Sequence, residues 1–278
     1  MAYRLFGTFT KYLVLGVFAL LVLYPLLLIV STSLKDPLDV TADPFTLFSS
    51  FNPINFLDAW TLGGFAGFFW NTVIITGLTL IGVVAFSVLA GYALARFSFP
   101  GKNVVFLVFI LGLMIPFFSV MIPLFYELKA LNLLGTKAAV ILPAMAGVTG
   151  FGIPLGVFLM RSFFLDLPED LADAARVDGC GELGVFWRVM LPLSAPGVAV
   201  LAVLTFFQTW NVFILPLLYM PGSENQTLAT GLYLFASGRT AETELAAAGS
   251  LIMVLPVVIF FLIFQRQFVK GLTAGAFK

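Results

Sequence analysis

The stretch that decides the fold is residues 161–196, which read RSFFLDLPEDLADAARVDGCGELGVFWRVMLPLSAP. It is the most charged connection in a chain in which 61% of the residues are hydrophobic and only 10% are charged. Soluble domains carry about 25% charged residues. We therefore predict that most of the chain lies in lipid and that this connection projects from the lipid into water.

Six apolar runs are long enough to cross a bilayer, which takes ~20 helical residues. They predict an all-α polytopic membrane protein with six transmembrane helices, in which residues 1–278 form a single transmembrane domain. The first run is longer than the ~7–15 apolar residues of a signal peptide, so we expect it to be retained. The predicted spans are Tyr12–Val30, Asn71–Ala95, Val104–Tyr126, Ala138–Met160, Gly197–Met220 and Ala246–Phe264.

The orientation follows from the basic residues, which concentrate on the cytoplasmic side of membrane proteins. With the N-terminus inside, ten Lys and Arg residues fall in cytoplasmic segments and four fall outside. Both termini are therefore predicted to be cytoplasmic. In this topology the segment 32–70 is an extended outer loop, the connection 161–196 is a cytoplasmic loop, and residues 265–278 form a cytoplasmic tail.

The composition argues against several functional classes. The chain has no histidine, one cysteine and a net charge of zero, so we predict no catalytic site, no metal site, no cofactor on this chain and no nucleic-acid partner. The six runs have no Asp, Glu, Lys or Arg in their interiors, whereas ion-coupled carriers usually bind the coupling ion at such groups. No G-x-x-x-x-G-K-[ST] phosphate loop occurs. A self-contained secondary transporter is the less favoured alternative, and a transport subunit that receives its energy from another protein is the favoured interpretation.

The connection 161–196 is predicted to hold two short amphipathic helices hinged on a glycine. The first begins near Pro168 and ends at Gly179, because helices commonly end at a residue in the left-handed backbone conformation, which glycine adopts readily. The second begins near Glu182 and is ended by Pro192. A helix pair lying on lipid headgroups is the alternative that composition leaves open. The apolar stripe expected on the second helix comprises Leu183, Phe186, Trp187, Met190 and Leu191.

The spacing within this connection resembles the EAA loop of permease subunits in binding-protein-dependent ATP-driven importers, the type I ABC importers. That pattern is E-A-A, three residues, glycine, nine residues and an I-x-L-P ending. Here Asp173-Ala174-Ala175, Gly179 and Val189-Met190-Leu191-Pro192 match it, with aspartate in place of the usual glutamate. The resemblance implies that the loop docks on a separate ATPase. The residues that it assigns to docking are Asp173, Ala174, Ala175, Asp178, Gly179 and Pro192.

Further matches extend this resemblance to the carbohydrate-uptake subgroup, which includes the smaller maltose-permease subunit. They include Tyr24-Pro25-Leu26, residues 90–97 and Trp210-Asn211. The resemblance implies a multi-pass protein of a prokaryotic cell membrane. The implied partners are a second permease subunit, two ATPase subunits that bind ATP and Mg, and an extracytoplasmic substrate-binding protein. The tail residues implied in a second ATPase contact are Gly271, Leu272, Thr273 and Gly275.

The implied function is to form half of the pathway for an oligo- or monosaccharide, with a glycerol-phosphate-type substrate as the alternative within the family. Polar side chains inside a span are costly and are therefore functional candidates. Gln208, Trp210 and Asn211 combine amide groups with an aromatic face, which suits a sugar, so we consider them candidate pathway residues. Bridging between helices is the alternative role for the same side chains.

Two smaller features concern the shape of the predicted spans. Pro116 and Pro123 predict kinks in the third span, because proline cannot donate a helical hydrogen bond. Gly152 and Gly156 form a small-xxx-small pair in the fourth span, which predicts close packing against a neighbouring helix.

Overall fold

The structure is a computed structural model that describes residues 2–222, 225–237 and 242–276, with side chains between residues 10 and 265. All regular secondary structure in these ranges is helical, as predicted. The first eight helices are α1 (Ala2–Thr32), α2 (Pro37–Ala42), α3 (Ile54–Thr61), α4 (Phe65–Arg96), α5 (Lys102–Leu113), α6 (Phe117–Ala130), α7 (Ala138–Ala146) and α8 (Ile153–Asp166). The remainder are α9 (Asp170–Val177), α10 (Glu182–Val185), a π-helical turn (Phe186–Met190), α11 (Leu191–Leu193), α12 (Ala195–Trp210), α13 (Ile214–Tyr219), α14 (Leu228–Ala236) and α15 (Thr243–Ala276).

Three helices in the described ranges are long and apolar enough to cross a membrane. They are α1 over Thr10–Thr32, α4, and α15 over Thr243–Gln265. Two bent pairs raise the number to five if each counts as one span: α5 and α6 are bent by 99°, and Glu182–Leu193 is bent by 70° from α12. Six spans with both ends in the cytoplasm therefore stay a prediction.

The predicted fourth span, Ala138–Met160, is not one continuous helix. Residues 147–152 separate α7 from α8. Gly147 has a φ of +84°, a conformation that residues with a side chain rarely adopt. A Cβ added to Gly152 would lie 2.6 Å from the Cα of Gly147. The sequence did not reveal the break, because the apolar run continues through it and single glycines also occur inside membrane helices.

The third predicted span bends where its first proline lies. Pro116 is extended, with a ψ of 136°, and immediately precedes α6. The predicted kink is therefore confirmed at this residue, and it is a bend of 99° between two helices. Pro123 lies inside α6, which continues through it. Proline is tolerated inside membrane helices where neighbouring groups satisfy the backbone that it frees.

One compact unit comprises residues 1–66 and 231–255. The segment that follows α1 contains the short helices α2 and α3 and has a polar core, whereas we expected an extended loop. Lys35 is fully buried and its Nζ donates to the carbonyl of Asp43 at 2.9 Å. The amide of Asn55, also buried, donates to the carbonyls of Ser33 at 3.1 Å and of Lys35 at 2.8 Å. Buried polar groups that are hydrogen-bonded in this way fix the course of the chain after α1.

The other unit comprises residues 67–230 and 256–278, and it contains the connection 161–196. Its helices α4 and α8 pack closely. A Cβ added to Gly91 would lie 2.7 Å from Cβ of Met160, and one added to Gly156 would lie 2.1 Å from Oγ of Ser87. Small residues permit such approaches in membranes. The close packing predicted for the Gly152 and Gly156 pair is confirmed at Gly156, whereas Gly152 lies in the break before α8 and approaches Gly147. The core here consists of Val83, Val88, Tyr92, Met160, Phe164, Ala172, Ala175, Val185, Phe186, Met190 and Leu201.

Gly91→Ala is expected to destabilise the protein, because the new methyl group meets Met160 and the backbone of the next residue. Overpacking of this kind costs about 1–3 kcal/mol. Gly77→Ala is the matched control in the same helix, since a Cβ there meets nothing within 4 Å. The measurement is the thermal unfolding midpoint of each purified variant in detergent. A midpoint of Gly91→Ala equal to that of the control would contradict the close α4–α8 contact.

Candidate functional site

The connection between α8 and α12 is a helix–turn–helix whose first helix has an inner and an outer face. Ala172 and Ala175 on α9 are only 2% and 8% exposed and belong to the same core as Phe186. Asp173 and Ala174 are exposed. The buried positions are three residues apart, as one face of a helix requires. The Asp-Ala-Ala motif is therefore divided, with its first two residues outside and its third residue inside.

The turn between α9 and α10 requires the glycine at position 179. Gly179 has a φ of +86°, the left-handed conformation that ends many helices. Its N–H donates to the carbonyl of Arg176 at 3.0 Å, and the N–H of Cys180 donates to that of Ala175 at 2.9 Å. A Cβ at this position would meet nothing within 4 Å, so the requirement is conformational. The predicted end of the first helix is confirmed.

Arg176 connects the two helices of the connection across this turn. Its Nη1 donates to Oδ1 of Asp173 at 2.7 Å, while Nε and Nη2 donate to Oε1 and Oε2 of Glu182 at 2.8 Å and 3.2 Å. Such a two-pronged arginine–carboxylate contact fixes orientation as well as distance. The hydrogen bond from Arg176 lowers the pKa of Glu182. The pair is therefore present at neutral pH, and its contribution is lost as the pH falls through that lowered pKa.

The apolar stripe predicted for the second helix is wrong at two positions. Leu183 and Trp187 are 77% and 60% exposed, whereas Val185, Phe186 and Met190 are buried. The four-residue α10 packs through its last residue, and a π-helical turn begins at Phe186 and ends at Met190. A π-helical turn contains an extra residue and rotates the positions that follow it. A stripe drawn at the ordinary helical period therefore does not hold through this segment. Trp187 lies within the π-helical turn and is exposed, and Leu183 lies on the exposed side of the short α10 that precedes it.

The connection is seated on α4 and α8 by two residues that the sequence reasoning did not assign to the site. The ring of Tyr92 lies 4.8 Å from that of Phe186 and 5.2 Å from that of Phe164, measured between centroids. Nη2 of Arg96 donates to the carbonyls of Phe164 and Leu167, each at 2.6 Å. Because Tyr92 and Arg96 are four residues apart, they share one face of α4. Their four-residue spacing was the one feature of the sequence from which this pair could have been predicted.

Pro192 does not end the second helix as expected. It is exposed and lies in the first turn of α11, a position that suits proline because the missing N–H is not needed there. The chain continues through Ser194, which is fully buried, into α12. The bend between the two segments is 70°. The second half of the connection and α12 therefore form one bent helical arm.

The three candidate pathway residues have different environments. Nε2 of Gln208 donates to the carbonyl and the Oγ1 of Thr149 at 2.9 Å and 2.5 Å, so α12 is tied to the break between α7 and α8. Trp210 is only 3% exposed. Asn211 is exposed, and its Nδ2 donates to the carbonyl of Phe207 at 2.7 Å. Contact of any of the three with a transported solute stays a prediction.

The tail predicted to make a second ATPase contact belongs to α15, which ends at Ala276. The side chains of the tail residues lie outside the described residues, so this contact stays a prediction as well. The residues concerned are Gly271, Leu272, Thr273 and Gly275.

Comparison with known proteins identifies this arrangement. The family model of the inner membrane component of binding-protein-dependent transport systems matches residues 84–274, which include the whole connection 161–196. The chain belongs to this family. It is accordingly a non-catalytic permease subunit of an ABC importer and a multi-pass protein of the prokaryotic plasma membrane.

Individual relatives match this permease over nearly its whole length. The arabinooligosaccharides transport system permease protein AraQ of Halalkalibacterium halodurans is 37% identical, covering 94% of this chain and 92% of its own. The diacetylchitobiose uptake system permease protein NgcG of Streptomyces coelicolor is 32% identical, covering 94% and 85%. A chain in the structure of a bacterial ABC transporter involved in the import of the acidic polysaccharide alginate matches with a TM-score of 0.81 and 23% identity, covering 95% and 96%. That last similarity shows the fold.

Gly179→Ala is expected to loosen the connection of this permease, because alanine in the left-handed conformation costs about 1–2 kcal/mol. Gly181→Ala is a close control, since a Cβ there also meets nothing within 4 Å and the backbone is extended with a φ of −70°. The measurement is the rate at which a protease cuts the connection in the purified permease. Faster cleavage is expected for Gly179→Ala alone, and equal rates in both variants would refute the conformational requirement.

Proposed function

We propose that this permease forms half of the pathway of an ATP-driven importer of oligo- or monosaccharides, with both termini in the cytoplasm and the connection 161–196 docked on a separate ATPase. The observation that carries the proposal is the continuity of this connection with the membrane helices. It is one bent arm with α12, and it is seated on α4 and α8 through Tyr92 and Arg96. Force applied to the connection from the cytoplasm would therefore reach several membrane helices directly.

The proposed docking residues fall into two groups by their exposure. Asp173 and Ala174 belong to the exposed group. The small methyl side chain of Ala174 lets a partner approach closely beside the charge of Asp173. Ala175 faces inward, so we assign it the role of seating the docking helix rather than contacting the ATPase. The complete proposed docking set is Asp173, Ala174, Ala175, Asp178, Gly179 and Pro192.

One exposed charge of the docking surface, Asp173, is already paired within the chain. Asp173 accepts a hydrogen bond from Arg176, which also holds Glu182. Exposed ion pairs contribute little to stability, so the consequence of this cluster is geometric: it sets the angle between the docking helix and the arm that leads to α12. The ATPase would meet an ion cluster of defined shape instead of a mobile carboxylate.

The proposed assembly contains four further components. They are a second permease subunit, two ATPase subunits that bind ATP and Mg, and an extracytoplasmic binding protein that delivers the sugar. Support comes from the family to which the chain belongs, whose members are components of binding-protein-dependent systems. The names of AraQ and NgcG refer to oligosaccharides, which supports a carbohydrate as the solute here.

Ala174→Arg is expected to remove the ATPase from the purified complex, because a long charged side chain would replace a methyl group on the docking surface. Asn103→Arg, an exposed position at the start of α5, is the control on the same side of the membrane in the proposed topology. The measurement is the amount of ATPase that co-purifies with the tagged permease in mild detergent. Absence of an ATPase from the parent would contradict the proposed function, and its retention in Ala174→Arg would contradict the docking surface.

The proposed solute class is tested by uptake into cells that carry the complete transport system. Labelled arabino-oligosaccharides, diacetylchitobiose and sn-glycerol 3-phosphate form the panel. We expect uptake of at least one sugar, its loss when this permease is deleted, and no competition by sn-glycerol 3-phosphate. Uptake of sn-glycerol 3-phosphate alone would replace the carbohydrate assignment by the glycerol-phosphate one.

A further inference from the structure

Two interrupted helices border a cavity that none of the sequence motifs indicated. The cavity has a volume of about 290 Å³ and lies between the bend that joins α5 to α6 and the break that follows α7. Gly112 and Ile115 line it from the side of the bend, and Gly147 and Val148 line it from the side of the break. Glu127 on α6 also lines it.

The break at residues 147–152 has two sides with different partners. In a membrane, non-helical backbone is tolerated only where protein buries it or where it lines a water-filled cavity. On one side, Thr149 accepts two hydrogen bonds from the amide of Gln208. On the other side, Gly147 and Val148 line the cavity. Interrupted helices of this kind surround the substrate in many transporters, because their exposed backbone groups and helix ends bind polar ligands.

The cavity is lined by small and aliphatic residues and by one acidic residue, Glu127, a combination that can hold a single sugar ring. The carboxylate of Glu127 can accept several hydrogen bonds, and vicinal hydroxyl groups of a sugar ring donate them in pairs. The aliphatic side chains of Ile115 and Val148 can pack against the apolar face of the ring, which carries its C–H groups. The volume is near the lower end of ligand sites, which span about 300–1,000 Å³, and corresponds to a single ring. An anionic solute would be repelled by the carboxylate.

We propose that this cavity is a subsite for one ring of a neutral sugar, with Glu127 accepting hydrogen bonds from its hydroxyl groups. Gln208 donates to Thr149 within the same break and so helps to fix its backbone. The subsite rests on the proposed function, since it requires that the permease carries a carbohydrate. It places the sugar beside the break and the bend.

Water access to the cavity is tested first, by cysteine labelling of the assembled transporter in membranes. The only native cysteine is removed by Cys180→Ala. Val148→Cys in that background is expected to react with the charged reagent methanethiosulfonate ethylsulfonate, because it lines the cavity. Leu107→Cys on α5, a position that is 52% exposed and outside the cavity lining, is the control and is expected to stay unreacted. A Val148→Cys variant that reacts no faster than this control would overturn the subsite.

The role of the carboxylate is tested by uptake of the sugar that the transport panel identifies. Glu127→Gln is expected to lower the maximal uptake rate about tenfold, because a neutral amide oxygen accepts a weaker hydrogen bond than a carboxylate and the amide group adds a donor that the hydroxyl groups must accommodate. The concentration for half-maximal uptake is expected to stay unchanged, because the binding protein captures the sugar before it reaches the cavity. Lys129→Gln, two residues further along α6, is the matched control.

The outcomes of these experiments separate the subsite from the proposed function. Glu127→Asp is expected to restore part of the rate, since it keeps the carboxylate. If the parent imports the sugar and Glu127→Gln imports it equally fast, the subsite is refuted while the importer stands. If the parent imports no sugar at all, the proposed carbohydrate function fails and the subsite fails with it.

Discussion

A backbone N–H or C=O that lacks a partner in lipid costs several kcal/mol, which leaves the helix as the default structure for the apolar runs of this permease. At several places where a helix stops, a polar side chain takes over hydrogen bonds that the helix no longer supplies. Gln208 does so at the break after α7. Beyond α13, Nε2 of Gln226 donates to the carbonyls of Met220 and Gly222, each at 2.9 Å, and Asn71 donates to the carbonyl of Gln226 at 3.0 Å. These polar side chains therefore stabilise irregular backbone between the helices of this protein.

The same requirement shapes the place where the cytoplasmic connection meets the membrane helices. Arg96 donates to the last carbonyls of α8, which have no partner within that helix. Five residues earlier, Gly91 lets α8 approach, and between them Tyr92 packs against Phe186 of the connection. One short stretch of α4 thus satisfies a helix end, brings two helices together and supports the connection. A movement of the connection is transmitted through packed side chains, which are nearly incompressible.

The sequence was informative where structure depends on neighbouring residues. The left-handed turn at Gly179 was predictable, because a glycine follows a short amphipathic run and no other residue type adopts that conformation cheaply. The bend at Pro116 was predictable for a similarly local reason. The stripe on the second helix failed at Leu183 and Trp187, because it assumed an ordinary helical period where a π-helical turn follows a very short helix. The continuous fourth span failed, because apolar composition does not record a break at residues 147–152.

The sequence by itself determined the class of the protein, since hydrophobic composition selects lipid as the solvent, and it determined the family through the spacing from Asp173 to Pro192. Both are properties of composition or of order along the chain. Only the tertiary structure decided that Ala175 faces inward while Ala174 faces outward, and that Gln208 bonds to Thr149, 59 residues away. It also placed Glu127 and the interrupted helix on the lining of one cavity. These features depend on contacts between distant segments, and such contacts are set by the packing of whole helices rather than by any local pattern of residues.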